Sequence, residues 1–255
     1  MILKQHIARL PILLCCLFFC LGPALSEEIG DDAIVTDRPD IAESALTVGT
    51  GRFQIETGVT YTQETGAANA LTTPTLLRYG IAEKWELRLE SDALTFLDPG
   101  PGGFSDFTLG TKVNFRDEGS TAIGLLVSLN VPVGFQAVRG TVDPAVKLLI
   151  DQDLGSGWGL GFNAGLLLTE DVTDRSFIQP MFAAALGKDI TNRLGAYVEL
   201  SGEGPDLAGG DYALSADGGF TYLVNNDVQL DLSLLRGLSN VGTDWGYGLG
   251  VSARF

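Results

Sequence analysis

Sixteen ionisable side chains fall on the polar side of stretches in which every second residue is apolar: Arg52, Glu56, Arg78, Lys84, Glu86, Arg88, Glu90, Asp92, Asp106, Lys112, Asp143, Lys147, Glu199, Asp217, Asp231 and Arg254. Seven bases stand against nine acids, so the rows are nearly balanced. The chemistry they offer is electrostatic. They line a polar, weakly selective passage, or they pair into ladders that fill a narrow interior. Other chemistry has little to work with, because the three cysteines (Cys15, Cys16, Cys20) and the single histidine (His6) all lie within the first twenty residues. The rest of the chain has no thiol and no imidazole. That removes disulfides, Cys or His metal sites, Cys nucleophiles and His general bases together. No cofactor, metal ligand or catalytic residue is implied.

Rows of this kind need strands to hold them, and from Gly51 onward the apolar period is two. Residues 52–62 set Phe53, Ile55, Val59 and Tyr61 against Arg52, Gln54, Glu56 and Thr60, and residues 84–92 set Trp85, Leu87 and Leu89 against five charged residues. A one-residue slip would turn every charge outward, at about 2–4 kcal/mol for each Arg or Lys at a bilayer midplane. Similar stretches recur to the end of the chain, about twelve in all, joined by short turns that alternate with generally longer loops. Short turns on one side and long loops on the other are the mark of an even-stranded outer-membrane barrel with both termini at the periplasmic end. Closure also removes the two sheet edges that an open sheet would have to protect. The sequence therefore predicts an all-β fold, a closed antiparallel transmembrane β-barrel of about twelve strands over residues 51–255.

The two ends of the chain point to the same compartment. Lys4 and Arg9 precede an apolar run at residues 10–21, and Ala24-Leu25-Ser26 has small-x-small cleavage spacing, so residues 1–26 read as a signal peptide. A dozen apolar residues are too few to cross a bilayer core that needs about twenty. Residues 244–255 alternate Trp245, Tyr247, Leu249, Val251, Ala253 and Phe255 with small or polar residues. A strand ending on Phe255 resembles the signature that the barrel-assembly machinery recognises. Residues 27–255 carry a net charge of −18, which argues against nucleic acid as a partner. The partners expected instead are outer-membrane lipid and lipopolysaccharide, the assembly machinery and a small-molecule solute.

Residues 27–50 carry seven acids and one base and lack strand period. They form either a periplasmic tail or a short plug folded back into the barrel, with Asp37, Arg38 and Pro39 as its candidate residues. Arg38 is expected to pair with a lumen acid such as Glu56, Glu86 or Glu90.

From Thr36-Asp37-Arg38-Pro39-Asp40 through Gly51-Arg52-Phe53-Gln54-Ile55-Glu56, Leu77-Arg78-Tyr79-Gly80-Ile81 and Gly219-Phe220-Thr221-Tyr222-Leu223, the chain resembles a bacterial outer-membrane family labelled for the meta-pathway of phenol degradation. The resemblance implies a transporter-like channel in the outer membrane, with hydrophobic or aromatic compounds among its candidate solutes. Passive uptake or efflux of a small solute is thus the function expected. A structural or adhesive barrel with a filled lumen is the alternative, and a membrane-embedded hydrolase is disfavoured because residues 27–255 offer no His as base.

Overall fold

The computed structural model describes residues 29–30, 32–135, 141–170, 175–205 and 209–255. The signal segment and Glu27, Glu28 and Asp31 of the acidic run lie outside the described residues.

Fifteen strands follow one another: β1 (Phe53–Gln63), β2 (Asn69–Thr72), β3 (Thr75–Ala82), β4 (Trp85–Ser91), β5 (Leu94–Asp98), β6 (Gly102–Phe104), β7 (Phe107–Glu118), β8 (Thr121–Val131), β9 (Asp143–Gly155), β10 (Trp158–Glu170), β11 (Ser176–Asp189), β12 (Leu194–Glu203), β13 (Ala213–Asn225), β14 (Val228–Gly237) and β15 (Trp245–Arg254). All pairings are antiparallel, and β15 returns to β1 from Gln54↔Arg254 to Gln63↔Trp245, which closes the sheet. The wall has twelve staves, because three of them are each made of two strands, β2 with β3, β4 with β5, and β6 with β7; between the first two of these staves the pairing slips by one residue, from Thr75↔Ser91 to Thr72↔Thr95.

The three interruptions lie side by side at Thr73-Pro74, Asp92-Ala93 and Ser105-Asp106. Pro74 has no N–H for the ladder, and Ala93 takes a left-handed φ of 46°. The wall is creased there without being open. Thr73 N–H donates to the carbonyls of Asp92 and Leu94 at 3.1 and 3.0 Å, and Ser105 N–H donates to Ala93 at 2.8 Å. Much of the long loop expected at residues 98–105 is consequently strand.

The two faces of this wall are inverted relative to a water-soluble protein. Inside, Arg78 is 1% exposed and Lys112, Glu56 and Glu86 are fully buried, whereas outside Leu87 is 47% and Leu249 61% exposed. Strand alternation puts these sets on opposite faces, and an outward apolar band of this extent is stable only against hydrocarbon. The apolar interior is correspondingly small. Among the described residues its two clusters are Ala45, Ala122, Leu126 and Leu149, and separately Ala42, Ala183 and Ala185.

Candidate functional site

Residues 32–50 have no regular structure and lie inside the barrel. The segment starts at the end that carries the short turns, where Ile34 N–H donates to the Asn226 carbonyl at 2.7 Å and Arg52 forks onto Asp32 at 2.7 and 2.8 Å. It returns to that same end, where Gly51 N–H reaches the Gly80 carbonyl at 2.7 Å. A Cβ on Gly80 would stand 1.6 Å from the Gly49 carbonyl oxygen, so only glycine admits this approach.

An irregular segment in a closed lumen must find partners for its backbone groups, since water does not reach all of them. The wall supplies side chains in place of a ladder. Glu56 accepts Asp37 N–H (2.9 Å), Glu199 accepts Ile41 and Ala42 N–H (3.1 and 2.7 Å), and Glu86 accepts Val48 N–H (3.0 Å). Asp151 accepts Ala45 N–H and Ser44 Oγ, both at 2.8 Å. Asn163 mimics a neighbouring strand, accepting Glu43 N–H and donating to the Glu43 carbonyl at 2.7 and 2.9 Å.

The centre of the site is Asp37. Lys112 Nζ donates to its two carboxylate oxygens at 2.8 and 3.1 Å, Arg88 pairs with it, and Arg78 lies 3.4 Å away. All five N–H donors of Arg78 are used: two on Glu86 (2.9 and 3.0 Å), one position on Glu56 (3.0 Å), and the Val35 and Leu46 carbonyls (3.1 and 3.0 Å). Glu43 joins the network through Lys147 (2.6 Å) and Arg88 (2.7 Å). Burial alone would raise the Asp37 carboxyl, but attraction from Arg78, Lys112 and Arg88 outweighs it and holds it well below the usual range. Burial opposes ionisation at Glu43 too, and Lys147 and Arg88 bring it down to about 2. Asp40 goes the other way, raised by burial and then by the neighbouring carboxylates Glu199, Asp217 and Asp37.

Arg38 does not meet Glu56, Glu86 or Glu90. It pairs with Asp231 at 3.1 Å, because Glu56 and Glu86 are already engaged by Arg78 and by backbone N–H groups. The guanidinium fits a slot over the seam where Gly58 and Gly250 face one another. A Cβ on either glycine would stand 2.6–2.8 Å from Arg38 nitrogens.

The other sequence candidates spread out from this centre. Glu90, Asp92, Asp106 and Asp143 line a cavity on the long-loop side. Asp217 lies opposite Glu199 in the register. Arg254 binds Asp227 (2.8 Å) at the short-turn rim. Two candidates lie outside the lumen. Lys84 falls in the exposed β3–β4 turn, and Arg52 precedes β1 at the rim, where the alternation gives way to turn geometry. Sequence reasoning missed Asp151 and the amides Gln54, Asn114, Asn163 and Gln229 as partners of the segment. Gln54 donates to the Val35 carbonyl (2.9 Å), Asn114 to that of Ala45 (3.0 Å), and Gln229 to Thr36 Oγ1 (2.7 Å). Their shared inward parity was the available signal.

Among the described residues, one cavity of about 890 Å³ lies on the long-loop side and another of about 640 Å³ on the short-turn side. The residues common to both linings are Arg38, Pro39 and Asp40. The tip of the segment thus separates two vestibules.

A twelve-stave barrel with an apolar outer belt and a polar, partly filled interior has the fold of the outer-membrane β-barrels. The chain belongs to the family described as "Putative MetA-pathway of phenol degradation", whose model matches residues 36–255. Its fold is similar to the COG4313 outer membrane channel from Pseudomonas putida F1 (TM-score 0.63, 14% identity, covering 89% of this chain and 99% of that one). It is also similar to the NanC porin (0.58, 9%, 78% and 98%) and the KdgM porin (0.55, 10%, 78% and 99%). No curated protein matches the sequence.

Proposed function

We propose that the protein is a channel for passive movement of small organic solutes across the outer membrane, aromatic compounds included, with residues 32–50 as its plug. The observation that carries the reading is the pair of cavities toward opposite ends of the barrel, whose linings share Arg38, Pro39 and Asp40. The class of aromatic solutes comes from the family description. The larger vestibule adds a compatible surface, since Leu167 and Met181 lie among its serines, threonines and carboxylates. The protein performs no chemistry in this reading, which the lack of Cys and His beyond residue 20 supports. Lipopolysaccharide around the belt and the barrel-assembly machinery at the C-terminal strand are its proposed partners.

Planar-bilayer recording of purified protein tests the proposal. Discrete current steps are expected, and deletion of residues 29–50 enlarges them. A barrel with a permanently filled lumen is the second reading, favoured by the saturation of Arg78 and Lys112. Folded barrels that stay silent, with and without residues 29–50, would select it.

A further inference from the structure

Between Ile34 and Val48 the segment is bonded to the barrel almost without a break. Each residue of that stretch exchanges a hydrogen bond or an ion pair with a strand or turn of the wall, with two exceptions. Among the described residues, Pro39 and Asp40 make no such bond. Pro39 has no N–H to give, and the wall groups whose charge Asp40 feels are the carboxylates Glu199 and Asp217, which do not attract another acid.

Both ends of this gap are fixed. On one side the Arg38 guanidinium pairs with Asp231 in the slot over Gly58 and Gly250. On the other, the two oxygens of Glu199 accept the Ile41 and Ala42 N–H groups, and Ala42 packs with Ala183 and Ala185. A second observation is independent of these bonds. The unheld pair, together with Arg38, is what the linings of the two cavities have in common. The part of the segment that the wall does not hold therefore sits where the vestibules approach one another.

Withdrawing the whole segment would break all of its contacts and leave Arg78, Arg88 and Lys112 buried without Asp37, an uncompensated cluster of charge. Swinging Pro39 and Asp40 between their fixed neighbours breaks no bond to the wall. The local motion is the one of smaller cost. Resting on the channel reading above, we infer that Pro39 and Asp40 are the gate of the channel, a two-residue strap hinged at Arg38 and Ile41 that moves aside for a solute while the rest of the segment stays docked. The width of the passage is then set by the anchored residues on either side of the strap, and not by how far the segment can be withdrawn.

Thiol chemistry tests this, because residues 27–255 contain no cysteine to interfere. A Cβ on Gly161 stands 3.8 Å from the Ala42 Cβ, the separation found in disulfides. Ala42→Cys with Gly161→Cys therefore clamps the segment just beyond the strap, and single channels should pass the same current in the oxidised and the reduced form. Asp40→Cys reads the strap itself. A bulky methanethiosulfonate adduct at this position, its attachment confirmed by mass, should lower single-channel conductance at least about twofold, as expected for bulk added at a constriction. Current that vanishes when the clamp is oxidised and returns with dithiothreitol would overturn the gate, because the whole segment would then have to leave. Asp40→Cys that resists the reagent, or conducts as before once labelled, would overturn it too, and this variant remains decisive if the clamped one does not fold. A folded protein that passes no current in any form, with residues 29–50 deleted as well as present, would instead overturn the channel reading on which the gate rests.

Discussion

Asp37→Asn removes the carboxylate through which the segment faces three buried bases, which otherwise share only the wall's Glu86, while leaving its shape in place. Arg78, Arg88 and Lys112 are each at most 5% exposed, and Lys112 has Asp37 as its closest acid at 2.8 Å, with Glu86 next at 3.6 Å. Breaking one partner out of a buried ion pair typically costs about 3–5 kcal/mol, because the remaining charge stays desolvated. The cost falls on docking of the segment and not on the wall, whose ladder continues without interruption from β7 through β15 to β1. A loss of about 4 kcal/mol is close to a thousandfold in the docked-to-free equilibrium. Hydrogen exchange reads this directly. The N–H groups of Ile41, Ala42, Glu43, Ala45 and Val48 are each held by a wall side chain, so their exchange should accelerate by two to three orders of magnitude while strand amides stay protected. Single-channel conductance should rise in parallel. Exchange at residues 41–48 that matches the unsubstituted protein would show that Asp37 does not hold the segment.

Other consequences follow from the same contacts. Gly250→Ala places a Cβ 2.6 Å from Arg38 nitrogens and from Asp231, so it should part that pair at about 1–3 kcal/mol, seen as a lower temperature for the gel-mobility shift of the folded barrel. On acidification, Glu43 at about 2 and Asp37, also depressed, stabilise the docked segment fully above the ordinary carboxylate range near 4. That stabilisation is lost as pH falls from there toward 2, so protection of the Glu43 and Ala45 amides, corrected for the intrinsic pH dependence of exchange, should stay level from pH 7 to about 5 and fall only below about 4. A transition centred at pH 6 would contradict the assignment. Leu89→Arg puts a charge on the lipid face of β4 and should cost up to about 2–4 kcal/mol, read as reduced yield of heat-modifiable barrel.

The wall was legible because alternation is local. Each of Trp85, Leu87 and Leu89 declares its face by its immediate neighbours, and lipid outside makes that declaration absolute. What the interior does with its charges is not local, and Arg38 shows why. Sequence points to Glu56, Glu86 or Glu90 as its acid, but Glu56 and Glu86 are held by Arg78, itself placed by the β1–β3 register. Asp231 becomes available only when β15 closes on β1, bringing Gly58 and Gly250 together as a slot that residue types alone do not announce. The polar amides follow the same logic. Asn163 and Gln54 have the parity of lumen residues, yet nothing in a strand pattern says that an irregular segment will arrive to use them as a substitute ladder. The same inward acids that look like pore lining are thus, in large part, hydrogen-bond acceptors for residues 32–50.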